Sequence, residues 1–318
     1  MIRSVVAGCG SYLPSRIVRN ADLDPCLATN DAWIRERTGI EQRHIAAEGE
    51  FTSDLAAKAG MDALRKAGLS AESVDVILLA TSTPDYTLPS AATLVQQKMG
   101  CTHAAAMDIN AACSGFVYAM TLADALIRSG QSRTILVIGA ETMSRVVDWS
   151  DRGICILFGD GAGAVILTAQ EGSRGIVGSE ICSDGTLAPL LKTSGGVSMT
   201  QTAGFLQMQG KEVFRHAVSK MTESSQRLLA KHGLSVTNVD WVVPHQANAR
   251  ILLACMEKLE MDTSRLIMTV DQHANTSAAS IPLALAQAST MGKIKKDDIV
   301  LLTALGAGLT WGSCIIQW

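Results

Sequence analysis

The sequence predicts an α/β protein made of two similar halves, each a sheet covered by helices on both faces. Two observations carry this. VILLA from Val76, TILVIGA from Thr134 and IVLLTAL from Ile299 are unbroken apolar runs, the pattern of strands buried on both faces. Segments of the first half also return 165 positions later in the same order, which marks an internal duplication.

Taken along the chain, Gly68-Leu69-Ser70 followed by Val74-Asp75 returns as Gly233-Leu234-Ser235 followed by Val239-Asp240. Each copy leads into an apolar run, VILLA and then WVVPH. Asn110 falls opposite Asn275, each just ahead of small residues, and TILVIGA falls opposite IVLLTAL. Helices are expected around 54–67 and 213–232, where apolar residues recur at helical spacing ahead of the first strand of each repeat. Each half therefore reads as helix, buried strand, loop, helix, buried strand, with boundaries at about 1–171 and 172–318. Residues 171–175 are the expected junction, the polar run 183–209 supplies inserted loops, and 143–158 is an extra segment of the first half. The uncharged stretch 299–318 is as long as a membrane span, roughly 20 residues. Gly306, Gly308 and Gly312 interrupt it between two β-rich runs, so it is expected to form strand, turn, strand.

A net charge of −3 with 18% charged residues describes a soluble globular chain without the basic excess of a nucleic-acid binder. The eight cysteines are Cys9, Cys26, Cys101, Cys113, Cys155, Cys182, Cys255 and Cys314. They show no C-x-x-C pair and no metal-ligand spacing, and no signal peptide is evident, so reduced thiols in a cytoplasmic protein are expected, with no membrane partner.

Chemistry concentrates at three positions. Cys113 lies in AACSGF, where small residues permit a tight turn into a following helix, and a helix N-terminus favours thiolate. The bland alternative is a small buried hydrophobe. His245 closes the first strand of the second half in VVPHQANAR, and Asn275 in HANTSAAS is expected at the next strand-to-helix turn. Ligands gather at such strand ends. Taken singly, each reads as well as a core histidine or an Asx turn. The duplication brings equivalent strand ends of the two halves to one cleft.

Together AACSGF, HQANARI, HANTSAASIP and GAGLTWG resemble β-ketoacyl-acyl carrier protein synthase III, a thiolase-fold condensing enzyme. The resemblance covers the whole chain and implies a thiolase-like fold of duplicated αβα halves in a five-layered αβαβα core. It also implies an acyltransferase that holds an acyl group on Cys113, with His245 and Asn275 serving decarboxylation of a malonyl thioester. The expected substrates are an acyl-CoA primer, acetyl-CoA first among them, and malonyl-acyl carrier protein, with no cofactor or metal. Gly306, Ala307 and Gly308 are the expected oxyanion turn, Ala307 standing where the family often has a third glycine. Trp33, Arg37 and Arg152 are expected around the CoA nucleotide, and Phe214 and Asn248 along the pantetheine. Lys211, Arg215, Arg250 and Lys258 offer a basic patch for the acidic carrier protein. The family forms dimers, which makes Leu88 in YTLPSAA the expected lid on the partner's acyl pocket.

Three other readings compete. AGCGSYLP and FGDGAGA suggest a nucleotide-binding oxidoreductase, but they lack the third glycine and the Lys-Ser/Thr such loops need. A non-catalytic thiolase-fold scaffold is set against the presence of all three polar residues. A relative that extends a different starter in secondary metabolism would carry the same three.

Overall fold

The apolar runs assemble into two sheets. In the computed structural model, which describes residues 1–23 and 27–318, the first sheet comprises β1 (Ile2–Tyr12), β2 (Val76–Ala80), β3 (Ala105–Ile109), β4 (Thr134–Thr142) and β5 (Asp160–Glu171), in the order β1-β5-β4-β2-β3. The second comprises β6 (Gly175–Ser183), β7 (Trp241–Pro244), β8 (Ile299–Gly306) and β9 (Thr310–Gln317), in the order β7-β8-β9-β6. Parallel β2–β4 and antiparallel β4–β5 are matched by parallel β7–β8 and antiparallel β8–β9. The uncharged 299–318 stretch is thus a hairpin, turned where its glycines predicted. No helix among the described residues is long and apolar enough to cross a membrane. Seven cysteines are free of disulfides, and Cys26 lies outside the described residues.

Besides a single turn at Val197–Thr200, the α-helices are α1 (Asp31–Thr38), α2 (Thr52–Ala67), α3 (Ala91–Met99), α4 (Gly115–Arg128), α5 (Arg152–Cys155), α6 (Gly210–Lys231), α7 (Ala249–Lys258), α8 (Val270–His273) and α9 (Ser280–Thr290). Strand side chains alternate between faces, and here both faces are dry. Ile77 and Leu79 of β2 pack outward with Leu55, Ala59 and Val95 of α2 and α3. Leu78 between them points inward to a central layer made of α4 and α9, where Phe116, Met120, Ile281 and Leu285 also meet Val243, Leu302 and Ile316 of the second sheet. Leu228, Leu252 and Met256 of α6 and α7 cover the far side. The result is five layers, αβαβα. Phe116 is fully buried in the shared layer, and truncating such an aromatic costs ~3–5 kcal/mol.

The repeat breaks in two places. β3 has no counterpart, because near Leu266 the chain makes a single bridge to Val242 and then turns into α8. Asn275 therefore follows a short helix, not the strand end the repeat predicts. The Gln246 side chain fills the gap. Its Nε2 donates to Pro244 O at 2.8 Å and Ile267 O at 3.2 Å, and its Oε1 accepts from Thr269 N at 2.8 Å. This side chain occupies backbone groups that a longer ladder would need. The second break is the segment between β4 and β5, which carries α5 and packs Met143, Val147 and Ile154 against Ile34 of α1.

Candidate active site

β3 ends at Ile109, and the chain passes through a 3-10 turn, Ala112–Ser114, that carries Cys113 and feeds α4. The turn holds Ala112 at φ +47°, a left-handed conformation that costs a non-glycine residue on the order of 1 kcal/mol. Ser114 Oγ lies 2.8 Å from both Ala111 O and Thr310 Oγ1, and Thr310 Oγ1 lies 2.9 Å from Ala111 O and Ala307 O. These contacts lace the thiol turn to the β8–β9 hairpin. Gly306 permits the approach, since a Cβ there would sit 2.7 Å from Cys113 N and 2.8 Å from Ala111 O. The backbone of 306–308 thereby lies beside the Cys113 N–H.

His245 directly follows β7, its N–H donating to Thr303 O at 2.8 Å. Its Nδ1 lies 2.7 Å from Ser280 Oγ at the head of α9. Ser280 Oγ also accepts from Gln246 N at 3.2 Å, and with Nδ1 engaged by Ser280 it is Nε2 that is left to face a ligand. Asn275 is fixed by Leu157 O and Gly159 N through its backbone, and its Oδ1 accepts from Ser277 N at 2.9 Å. The Asx turn leaves Nδ2 as the end of the carboxamide that can donate to a ligand. Both side chains are buried.

Sequence reasoning missed a third buried group. Gly139 lets the turn before α9 dock on β4, where a Cβ would sit 2.1 Å from Ala278 O. That approach brings Ser277 to Glu141 of β4. The Glu141 carboxylate is fully buried and accepts from Ser277 Oγ at 2.9 Å, Thr83 Oγ1 at 2.5 Å, Ser82 N at 3.0 Å and Thr81 Oγ1 at 3.2 Å. The 277–279 turn also packs against the 112–114 turn that carries Cys113. The available signal was a lone charge in the otherwise apolar strand TILVIGAET. Ser277, Ser280 and Thr310 passed as small residues.

Electrostatics correct one expectation. Cys113 keeps part of its surface accessible, yet burial pushes its thiol up to about 12, with Ser277 opposing and Glu141 adding to the rise. Cys113 sits within the Ala112–Ser114 turn directly ahead of α4, and burial is the largest influence on its thiol. Burial thus works against the thiolate expected from the helix start. Burial also lowers His245 to about 4, a neutral imidazole at neutral pH. Burial raises Glu141 while its hydrogen-bond donors pull the other way.

Trp33, Arg37 and Arg152 come together. The Arg37 guanidinium carbon lies 4.7 Å and that of Arg152 5.3 Å from the Trp33 ring centroid. Buried Arg43 ties the two sides of this cluster, donating to Asn20 Oδ1 at 3.0 Å and Ile156 O at 2.9 Å, while Asn20 Nδ2 donates to Asp31 Oδ1 at 2.9 Å. Phe214 of α6 packs on the same apolar cluster as Leu305, Leu309 and Ala307. Asn248 is the N-cap of α7, its Oδ1 accepting from Ile251 N at 3.0 Å, which leaves Nδ2 for a ligand. Lys211 and Arg215 lie in the first turns of α6, and Arg250 in that of α7. β6, β7 and β8 run parallel, so helices returning antiparallel to them start at the end where β7 delivers His245. Arg215 is paired with Glu212 at 2.6 Å. Lys258 stands apart, about 12 Å along α7 from Arg250 and 3.6 Å from Glu223. Leu88 is 81% exposed, so its own chain does not bring it to Cys113.

Two duplicated sheets sharing a buried helical layer, with a thiol turn at their joint, place the chain among the thiolase-fold condensing enzymes. The family described as 3-oxoacyl-acyl-carrier-protein (ACP) synthase III matches residues 107–185, and its C-terminal counterpart matches 229–318. The chain is 54% identical to a β-ketoacyl-acyl-carrier-protein synthase III of Rhodospirillum centenum, over all of this chain and 99% of that one. The solved 3-oxoacyl-acyl-carrier-protein synthase III of Aquifex aeolicus superposes with a TM-score of 0.95 at 43% identity, covering 99% of this chain and 100% of that one. A priming β-ketosynthase of the R1128 polyketide pathway is also similar, at TM-score 0.94 and 32% identity, over 99% of this chain and 96% of that one. The chain belongs to the β-ketoacyl-acyl-carrier-protein synthase III family and is an acyltransferase.

Proposed function

We infer that the protein condenses an acyl-CoA primer with malonyl-acyl carrier protein through an acyl-Cys113 thioester, forming the 3-oxoacyl-carrier protein that begins fatty acid synthesis. The observation that supports this reading is the packing of the turn carrying Cys113 against β8 and against the 277–279 turn, beside the elements that carry His245 and Asn275. Cys113 comes from the first half, and His245 Nε2 and Asn275 Nδ2 from the second. We read the chain as two units, 1–171 and 172–318, which supply these groups separately.

In the first stage the Cys113 sulfur attacks the thioester carbonyl. Its own N–H and a backbone N–H of the 306–308 turn stabilise the tetrahedral oxyanion. In the second stage the malonyl thioester loses carbon dioxide, and the enolate oxygen takes hydrogen bonds from His245 and Asn275. A neutral imidazole and a carboxamide donate without a change of protonation, which suits decarboxylation at neutral pH. The enolate carbon then attacks acyl-Cys113, and the sulfur leaves.

For the carriers, the Trp33 face with Arg37 and Arg152 offers stacking and charge for the CoA nucleotide. Phe214 and Asn248 border the pantetheine. Lys211, Arg215 and Arg250 face an acidic carrier protein, and Lys258 contributes at its edge. A cytoplasmic homodimer gives exposed Leu88 a place, as a lid on the partner's acyl pocket. No cofactor enters these steps. The test is product formation from a panel of acyl-CoAs with malonyl-carrier protein. Release of carbon dioxide and CoA with appearance of the 3-oxoacyl product supports the reading, and undiminished product from Cys113→Ala overturns it.

A further inference from the structure

Asn275 must present Nδ2 in one direction, and the turn that carries it is strained. Ala274 stands at φ +58° and Ser277 at φ +50°, left-handed conformations that cost non-glycine residues on the order of 1 kcal/mol each. Such a turn persists only where its surroundings hold it. On one side the Asn275 backbone is tied to the segment after α5, its N–H donating to Leu157 O at 2.9 Å and its carbonyl accepting from Gly159 N at 3.1 Å. Those bonds fix the main chain and leave the carboxamide to rotate. Among the described residues the carboxamide takes one hydrogen bond, from Ser277 N to Oδ1 at 2.9 Å. Whatever holds Ser277 therefore aims Asn275.

Glu141 does the holding. Ser277 Oγ donates to its Oε1 at 2.9 Å, and its Oε2 accepts from Thr83 Oγ1 at 2.5 Å, Ser82 N at 3.0 Å and Thr81 Oγ1 at 3.2 Å. The two threonine hydroxyls are themselves oriented. Thr83 Oγ1 accepts from Thr142 N at 2.9 Å and Thr81 Oγ1 from Thr83 N at 3.1 Å, which leaves each proton for the carboxylate. The carboxylate is thus fixed on the first sheet before it meets Ser277. An apolar side chain would fill the same space without needing these donors, but it could not grip a hydroxyl. We propose that Glu141 is a positioning residue for Asn275: it anchors Ser277, whose N–H turns the carboxamide so that Nδ2 meets the enolate oxygen. This rests on Asn275 being an enolate donor, as read above. Glu141 touches no reacting atom in this role. It sets a group of the second half in register with the first.

The test measures the two half-reactions separately: carbon dioxide release from malonyl-carrier protein, and single-turnover acylation by acetyl-CoA followed by intact mass. Ser277→Ala keeps the backbone N–H and removes only the anchor, so kcat for decarboxylation should fall about 10–10²-fold with KM for malonyl-carrier protein unchanged and acylation within a few-fold. Glu141→Ala should match it. Glu141→Gln should recover most of the lost rate, because its amide oxygen can take Thr83 and Ser82 while its NH₂ bonds Ser277 Oγ. Adding Ser277→Ala to Asn275→Ala should change decarboxylation by less than about 2-fold, since no carboxamide is left to aim. Wild-type decarboxylation in Ser277→Ala, equal loss of both half-reactions, or the full loss repeated in the double variant would each overturn the proposal. If Glu141→Ala does not fold, Ser277→Ala and the double variant decide, since both leave Glu141 three donors. Asn275→Ala decarboxylating at the wild-type rate would remove Asn275 from the reaction and the positioning role with it. That result is distinct from a slow Asn275→Ala beside an unimpaired Ser277→Ala, which defeats the positioning alone.

Discussion

Gly306→Ala is the sharpest perturbation of the joint between the halves. The added Cβ would lie 2.7 Å from Cys113 N, 2.8 Å from Ala111 O and 2.9 Å from Ser114 N. All three are backbone atoms of the thiol turn, and none can rotate away. Ordinary contact begins at 3.4 Å, so the hairpin and the turn must separate by several tenths of an ångström. Overpacking of this kind costs ~1–3 kcal/mol, which for a chain of this size lowers Tm by roughly 2–5 °C. The larger effect is on chemistry, because the shift separates the Cys113 N–H from the 306–308 backbone. Misplacement approaching 1 Å costs up to ~10²-fold in rate. Rapid-quench acylation by acetyl-CoA should therefore slow by about 10–10²-fold while calorimetry records the smaller loss of stability. Wild-type acylation in a folded Gly306→Ala protein would refute the placement of the oxyanion donors.

His245→Ala and Asn275→Ala should each cost condensation ~3 kcal/mol, about 10²-fold, since each removes one enolate donor; acylation measured separately should change far less, and an equal loss would reassign the pair. Arg152→Ala should raise the KM for acyl-CoA by about 2–30-fold, the range of a cation–π contact worth ~0.5–2 kcal/mol, and leave the KM for malonyl-carrier protein alone. A parallel rise in both would argue for damage to the fold. Burial lowers both His245 and His273 to about 4 from the ordinary 6.5. Below pH 6.5 the unfolded chain gains protons that the folded chain refuses, so their stabilisation is complete above 6.5 and lost progressively down to about 4. Each histidine contributes on the order of 3 kcal/mol to that slope. Urea midpoints that stay level from pH 7 to 4.5 would contradict it.

Legibility in the sequence followed burial. β2, β4 and β8 were plain because both faces are dry, so their runs are almost wholly apolar, Glu141 near the end of β4 and Thr303 within β8 being the interior exceptions. β3, AAMDI, is a partly exposed edge strand whose sequence alternates weakly, and nothing in it announces a strand. The helix before Asn275 was misread because Gln246 replaces ladder bonds with its own side chain, an arrangement invisible in any periodicity. At the site, Cys113, His245 and Asn275 stood out through small neighbours, a strand end and the repeat. Trp33 and Arg37 are neighbours on one helix turn, but Arg152 joins them from more than a hundred residues away, and only resemblance connected the three. Glu141 was overlooked for the same reason. Its partners come from residues 81–83 and 277, and three-dimensional packing alone makes one network of them. The thiol pKa was misjudged in direction because a helix start can be read from sequence, whereas the enclosure that opposes it cannot.

The central claim is that Cys113 holds the acyl group between the two stages. Intact-protein mass spectrometry after brief exposure to acetyl-CoA, followed by peptide mapping, tests it most directly. One acetyl group on the peptide containing Cys113, discharged on adding malonyl-carrier protein and absent from Cys113→Ala, is the predicted result. An adduct on another residue, or product formation without any acyl-protein, would contradict it.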